Sequence, residues 1–487
     1  MKGLFRKKSI QAIQAESKNG QLKRSLNALN MVSMGIGCII GAGIFVLTGK
    51  AAAMHAGPAI TLSFVLAGFA CALAALCYAE LASVLPVSGS AYTYAYATLG
   101  ELFAWAMGWL LILEYGLASA TVAVGWSGYV VSFLNDFGIH IPAQFANPWG
   151  LALFTRDGLP MMGSSGQQLT GIFNLPAFIG IILVTILLII GIKESAKVNN
   201  VIVIIKVSVV LVFIAVGAFY INKLNWSPYI PAPTGKPGEF GFDGILKAAG
   251  VIFFAYIGFE AVSTAAQEAK NPQRDIPIGI LGSLCICTIL YILVSAVLTG
   301  IVPYTMLNVP DPIAIAVDRI GLGWLSFVIK IGAIMGLSSV MLVLVYGQTR
   351  IFYMMSLDGL IPRFFSNIHP KFKTPHYNTV FVGAIISIAA ALTPLNTLGN
   401  LVSMGTLAAF TIVCFSVMYL RKMRPDLHRP FTVPFMPYIP IAGIMACAYL
   451  MYGLGWQVFV TLKTYFISGI LIYFIYGRYK SKLAKTV

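Results

Sequence analysis

The chain has 487 residues, 58% hydrophobic and only 10% charged, with a formal net charge of +16 and a mean hydropathy of +0.85. Soluble domains carry about 25% charged residues, so this composition excludes a soluble globular protein and describes an integral membrane protein. The basic excess does not describe a nucleic-acid binder, because of where it sits along the chain.

A membrane span needs about 20 apolar residues. Twelve such segments follow one another, near 27–54, 59–84, 101–134, 174–192, 197–221, 243–268, 277–302, 325–355, 377–393, 397–420, 438–454 and 457–477. The fold class read from them is an all-α integral membrane protein with twelve transmembrane helices in one domain. Residues 1–26 are basic and polar over too long a stretch for a signal peptide and read as a cytoplasmic tail. Spans 1–5 occupy 27–221, spans 6–10 occupy 243–420, spans 11 and 12 occupy 438–477, and a second cytoplasmic tail covers 478–487. The loops at 135–173 and 222–242 are rich in Gly, Pro and polar residues and read as connectors.

With the amino terminus inside, the tails and inner loops hold 23 Lys and Arg residues. Among them are Lys193, Lys197, Lys270, Arg274, Arg350, Arg363, Arg421 and Arg429. The outer loops hold four: Arg156, Lys223, Lys236 and Arg319. Such a bias sets orientation and places both ends in the cytoplasm, in keeping with an even number of spans and a plasma-membrane location. It also gives anionic membrane lipids something to meet, and no nucleic-acid partner is expected. The seven cysteines lie in apolar segments and read as small core residues. The five histidines lack ligand spacing, so no metal and no cofactor is expected.

Span 1 contains GIGCIIGAGIF, with Gly35, Gly37, Gly41 and Gly43 within nine positions. Each interior glycine weakens a helix by roughly 1 kcal/mol relative to alanine. One reading is close helix packing, since Gly37 and Gly41 make a small-xxx-small pair. A nucleotide loop is a poor third choice, because no strand precedes it. Five spans later, span 6 (GVIFFAYIGFEAVSTAAQE) is interrupted by Gly258 and carries Glu260. Both segments come first in a set of five, and an odd number of spans inverts the second set. Paired interruptions in two inverted halves point to a transporter's midplane site. Unwound backbone at membrane depth is tolerated where it lines a cavity or is buried in protein. The half-helix resuming after a break presents amides and the positive end of a dipole, which suits a carboxylate. The half ending before it presents carbonyls, which suit an ammonium. An amino acid zwitterion has both.

Lys206 lies about 14 Å into span 5 at 1.5 Å per residue, and an ionisable residue at that depth is a functional candidate. It reads either as a proton-exchanging group or as a permanent ammonium bonded to the carbonyls of a broken helix. Glu114 falls in mid-span 3 and Glu260 just past the span 6 break. Each is open to proton handling or to a hydrogen-bonded structural role, whereas Glu80, near an inner end, reads as structural. Phe253, Phe254, Tyr256 and Phe259 read as packing, with room for one ring to gate a site.

The stretches GIGCIIGAGIFVLTG, AGPAITLSFVLAGFACALAALCYAELASVLPVSGSAYTYAY, FFAYIGFEAVSTAAQEAKNPQRDIPIGI and GQTRIFYMMSLDGLIP resemble the amino acid–polyamine–organocation (APC) transporter superfamily, over about residues 25 to 430. Within it they are most similar to the cationic amino acid transporter group in a twelve-span bacterial form. The resemblance implies an inverted five-helix repeat, helices 1–5 and 6–10, with helices 1 and 6 unwound and helices 11–12 outside it. It implies that Gly41, Ala42 and Gly43 bind the substrate carboxylate. Ile39, Phe254, Ala255 and Ile257 would then supply amine contacts, with Phe254 as an aromatic gate. Lys206 matches a helix 5 lysine that stands in for sodium in proton-coupled members, with the helix 1 break and the helix 8 hydroxyls of Ser338 and Ser339 as expected neighbours. Glu260 matches an acid common after the helix 6 break. One departure is that GAIMGLSSVM in helix 8 has no acid to pair a cationic side chain.

The function expected is secondary active transport, proton-coupled uptake of an L-amino acid by alternating access, with a small neutral substrate such as alanine at least as favoured as a cationic one. Protons are the coupling ion. Obligate exchange of two amino acids is the rival within transport. A membrane enzyme would need a metal cluster or a nucleophile–base pair, and a channel would need a charged ring or filter repeat; the sequence offers neither. An accessory membrane subunit is neither implied nor excluded.

Overall fold

The computed structural model describes residues 6–8, 26–85, 90–154, 160–163, 167–191 and 196–485. Arg156, Lys193 and most of the expected amino-terminal tail lie outside the described residues. The described chain is helical, with only isolated β-bridges besides. Among the described residues, eight stretches are long and apolar enough to cross a membrane, and four shorter apolar helices accompany them. One long stretch, Gly43–Val84, joins the second half of the first span to the second span, and the short helix Ala28–Ile39 is the first span's other half. The set therefore resolves into twelve spans.

The spans are α1 (Ala28–Ile39, resuming as Gly43–Leu47, Thr48–Ala51 and Ala52–Ala56), α2 (Ile60–Val84), α3 (Glu101–Asp136), α4 (Leu175–Ile190), α5 (Ala196–Gly217) and α6 (Gly241–Ile252, resuming as Phe253–Tyr256 and Phe259–Glu268). They continue with α7 (Pro272–Ile301), α8 (Gly323–Leu357), α9 (His376–Leu392), α10 (Leu395–Met423), α11 (Tyr438–Leu454) and α12 (Trp456–Ile472). Capping follows the sequence. Asn27 accepts a hydrogen bond from the Asn30 amide to start α1, and Asn174 accepts one from the Ala177 amide to start α4, which satisfies amides that the first turn leaves open.

Packing shows the repeat. α2 lies on α7, α3 on α8 and α4 on α9. The first half of α1 lies on α7 as α6 lies on α2, and α3 lies on α10 as α8 lies on α5. Exchanging each helix for the one five places later reproduces the same contacts. Since five is odd, the second set crosses the membrane in the opposite sense.

Polar contacts close the side of the bundle that carries both termini. Glu80 at the end of α2 is buried and accepts from Arg421 Nε at 2.8 Å and from the Val433 amide at 2.7 Å. Asp358 takes Lys8 at 2.6 Å and Tyr92 at 2.7 Å, while Glu101 takes Tyr473 at 3.0 Å and Ser481 at 2.6 Å. The Lys270 amide donates to Leu26 carbonyl at 2.8 Å, tying the chain before α1 to the chain after α6. At the opposite side Lys330 of α8, fully buried, meets Asp136 of α3 at 2.8 Å and Asp318 of the short helix Pro312–Ile320 at 3.4 Å.

The two interrupted helices touch at their breaks. A β-carbon on Gly43 would stand 2.2 Å from Ala255 Cα, whereas one on Gly41 would stand 3.4 Å from the nearest methyl of Val340. The first clash is with backbone and has nowhere to relax. Gly43→Ala is therefore expected to destabilise by at least about 1–3 kcal/mol, while Gly41→Ala stays within about 0.5 kcal/mol. Thermal unfolding of the two purified variants checks this; equal shifts would show that the α1–α6 contact imposes no special constraint.

Candidate substrate and coupling-ion site

α1 stops at Ile40, whose ψ of 99° leaves helical geometry, and turns again at Ala42 with φ −60° and ψ −20°. The Phe45 amide bonds back to the Gly41 carbonyl at 3.3 Å, so the resumed half begins at Gly41. The amides of Gly41, Ala42 and Gly43 fall in its first turn, where a helix provides no carbonyl for them. α6 breaks by other means. A 3₁₀ turn over Phe253–Tyr256 ends at Ile257, which is extended at ψ 136°, and Gly258 takes φ +117°. A side chain is strained there, and a β-carbon would also meet the Cys38 carbonyl carbon at 2.9 Å. The half that resumes is a 3₁₀ helix, not the α-helix that the apolar pattern alone suggests.

The freed backbone groups find specific partners. The break removes the amide that would bond the Gly37 carbonyl, and Lys206 Nζ donates to that carbonyl at 2.9 Å. Lys206 is fully buried, and its stem runs along Gly336 of α8, where a β-carbon would stand 3.1 Å from Lys206 Cγ. Tyr291 of α7 places its hydroxyl 2.8 Å from the Ile39 carbonyl and 3.0 Å from the Ala255 carbonyl. One hydroxyl hydrogen cannot satisfy two carbonyls at once, so the two broken helices present a pair of converging acceptors with spare capacity. An ammonium, with three donors, fits that need. The Ile257 amide bonds the Phe254 carbonyl at 3.2 Å, inside the turn.

The acids form a second cluster. Glu260 Oε2 accepts from the Gly258 amide at 3.0 Å and so caps the resumed half of α6. Glu114 of α3 is buried, as is Glu260. Glu114 Oε1 and Thr406 Oγ1 of α10 are buried with no hydrogen-bond partner among the described residues. Lys206 belongs to the α1, α5 and α8 side of the breaks and the acids to the α3, α6 and α10 side.

Three of the four aromatics near the α6 break pack. Phe253 meets Phe410, Phe259 meets Tyr78 and Phe410, and Tyr256 donates to the Phe64 carbonyl at 2.8 Å. Phe254 is buried with no ring partner among the described residues. Ser338 departs from its expected place. Its hydroxyl accepts from Trp126 Nε1 at 2.9 Å and donates to the Ile334 carbonyl at 2.8 Å, which turns it toward α3 and away from Lys206. Two residues after Gly336 is about 200° around a helix, and that rotation is the reason. Ser339, three residues after Gly336 and so about 60° around the helix from it, is buried. Sequence reasoning missed Tyr291. Its signal was a hydroxyl in mid-span, in CICTILYILVSAV, where a buried tyrosine needs an acceptor.

The family model for amino acid permeases matches residues 26–476. The chain is 48% identical over 486 residues to the branched-chain amino acid permease BcaP of Bacillus subtilis (strain 168), covering 99% of this chain and all of the relative. It is 46% identical over 485 residues to the methylthioribose transporter of the same organism, covering both chains in full. It is 40% identical to the vacuolar cationic amino acid transporter 4 of Arabidopsis thaliana, over 88% of this chain and 68% of that one. With two unwound spans facing each other inside an inverted repeat, the chain belongs to the amino acid permease family of the APC superfamily, and is a multi-pass membrane transporter and not an enzyme.

Proposed function

We propose that this protein imports an L-amino acid with a neutral, apolar side chain together with a proton, across a plasma membrane in which both termini face the cytoplasm. The observation that carries the reading is the pair of opposed breaks. Amides at Gly41, Ala42 and Gly43 would take the carboxylate, and the carbonyls of Ile39 and Ala255 would take the ammonium beside Tyr291. Phe254, with Ile257 next to it in the extended backbone, would close over the substrate. The apolar side chain is supported by Val340, whose methyls lie over Gly41, and by the absence of any acid from the helix 8 stretch GAIMGLSSVM. The relative named for branched-chain amino acids agrees with an uncharged side chain, whereas the relative named for cationic amino acids favours a charged one.

Lys206 is the proposed coupling group. Protonated, its ammonium holds the Gly37 carbonyl and stiffens the end of α1. Neutral, it retains donors but loses the charge that strengthens the bond. Coupling requires that substrate affinity differ between these two states. Glu114 and Glu260 are proposed as a second proton-handling pair, acting on α6 through the Gly258 amide. Closure of the terminal side by Lys8, Asp358 and Glu101 would alternate with closure at Lys330 and Asp318 as one bundle rocks against the other.

A second reading, a cationic substrate, is favoured by the two buried carboxylates beside α6. A panel of twenty amino acids tested for thermal stabilisation separates the readings, since a ligand that binds the folded state raises apparent stability. Leucine, valine or alanine should stabilise and arginine or lysine should not; the reverse would establish the cationic reading. Uptake into liposomes with no internal amino acid separates symport from obligate exchange.

Lys206→Ala is expected to abolish accumulation of substrate driven by an imposed pH difference in proteoliposomes. Accumulation that survives would remove Lys206 from coupling. Tyr291→Phe is expected to raise the substrate KM about tenfold, the equivalent of about 1.4 kcal/mol, with the fold intact by thermal unfolding. An unchanged KM would make Tyr291 a packing residue only.

A further inference from the structure

A groove of about 550 Å³ runs along the first turns of α7 on the terminal side, with the segment Pro430–Phe431 as its far wall. It lies away from the α1 and α6 breaks and has no part in the transport site. Its α7 wall is a single helical stripe. Gln273 and Arg274 stand at the mouth, Pro277 and Ile278 come one turn in, and Leu281 and Gly282 come one turn further. At 1.5 Å per residue the stripe descends about 14 Å, close to half the roughly 30 Å hydrocarbon core. The stripe does not end there. Ile278, Ile286, Ile289 and Leu293 continue it as exposed apolar residues down the outside of α7, which is the face that meets acyl chains.

The mouth has two kinds of polar group. Arg274 is exposed and forms no ion pair among the described residues. Pro277 has no N–H to give the carbonyl of Gln273 four residues back, so that carbonyl lacks its helical donor within the groove, below the Gln273 side-chain amide at the mouth. A guanidinium matches a phosphodiester, and the glutamine carbonyl matches a hydroxyl. A headgroup offering both, above a chain that lies on the apolar stripe, complements this groove in charge and in shape. Basic segments facing the cytoplasm attract anionic lipid in general; here one arginine stands at the head of a cleft long enough for a chain.

We propose that this groove seats one anionic glycerophospholipid of the inner leaflet, its phosphodiester on Arg274, a headgroup hydroxyl on Gln273, and one acyl chain along Ile278, Leu281 and Gly282. The inference rests on the orientation given above, with the terminal side in the cytoplasm, and not on the substrate or the coupling ion. The bound lipid joins α7, which carries Tyr291, to the segment whose Val433 amide holds Glu80. It therefore bridges a helix of the substrate site and the polar closure of the terminal side.

The test is native mass spectrometry of the purified full-length protein with phosphatidylglycerol and with phosphatidylcholine added in turn. One phosphatidylglycerol should be retained per chain. Arg274→Gln should lower the retained fraction about tenfold, and Leu281→Trp, which fills the apolar wall, should lower it as well. Arg363→Gln, which removes an exposed arginine elsewhere on the same side, should leave it unchanged. Thermal unfolding confirms that each variant is folded; if the tryptophan variant is not, Arg274→Gln decides. Equal retention of phosphatidylcholine, retention insensitive to Arg274, or displacement of the lipid by inorganic phosphate alone would overturn the assignment. The readout involves no transport, so its failure is distinct from failure of the proposed import.

Discussion

An interrupted helix inside a bilayer leaves main-chain groups that water cannot reach, and each one unsatisfied costs several kcal/mol. The rest of this molecule is arranged around that constraint. Lys206 takes the Gly37 carbonyl, Tyr291 stands between the carbonyls of Ile39 and Ala255, and Glu260 takes the Gly258 amide. These three side chains come from α5, α7 and α6, and none comes from α1. The broken first span is held from outside itself, so any movement of α5 or α7 relative to α1 alters the groups that a ligand meets.

The inverted repeat explains why two breaks coincide at one depth. Two copies of a five-helix unit related by a two-fold axis in the membrane plane place their first helices beside each other in opposite senses. An amide-bearing helix start from one copy then comes next to a carbonyl-bearing helix end from the other. The contact between Gly43 and Ala255 marks where they meet. The symmetry does not extend to geometry, however. α1 resumes through π and α turns, whereas α6 resumes as a 3₁₀ helix. A wide turn and a tight turn point their free groups differently, which suits a ligand whose two ends differ in charge.

Much of this was legible in the sequence. The spans followed from run length, and the break in α1 from four glycines in nine positions. Gly258 and Lys206 stood out because each is improbable in an apolar helix. What was not legible depended on rotation about a helix axis and on contacts distant in sequence. Ser338 and Ser339 are neighbours in the chain, yet about 100° of rotation separates them, and only Ser338 meets Trp126. Tyr291 reads as one more aromatic until its hydroxyl is seen to reach two helices at once. Lys330 lies within the span read at 325–355, and only the fold brings Asp136 and Asp318 to it.

The separation of the titratable groups narrows how a proton could act here. Lys206 reaches α1 through the Gly37 carbonyl, four residues before the Gly41 amide. The acids reach α6 through the Gly258 amide, three residues after the Ala255 carbonyl. A charge change at the lysine therefore bears first on the carbonyl-bearing end of the first half of α1, and a charge change at the acids bears first on the amide-bearing start of the resumed half of α6. Neither group needs to touch the substrate. In a main-chain site whose donors and acceptors are fixed by backbone geometry, altering the anchor of one helix end changes the affinity for one end of a zwitterion. Under the proposed import with a proton, that would be enough to make loading and protonation depend on each other, because linkage between two ligands requires only that each bias the same structural element.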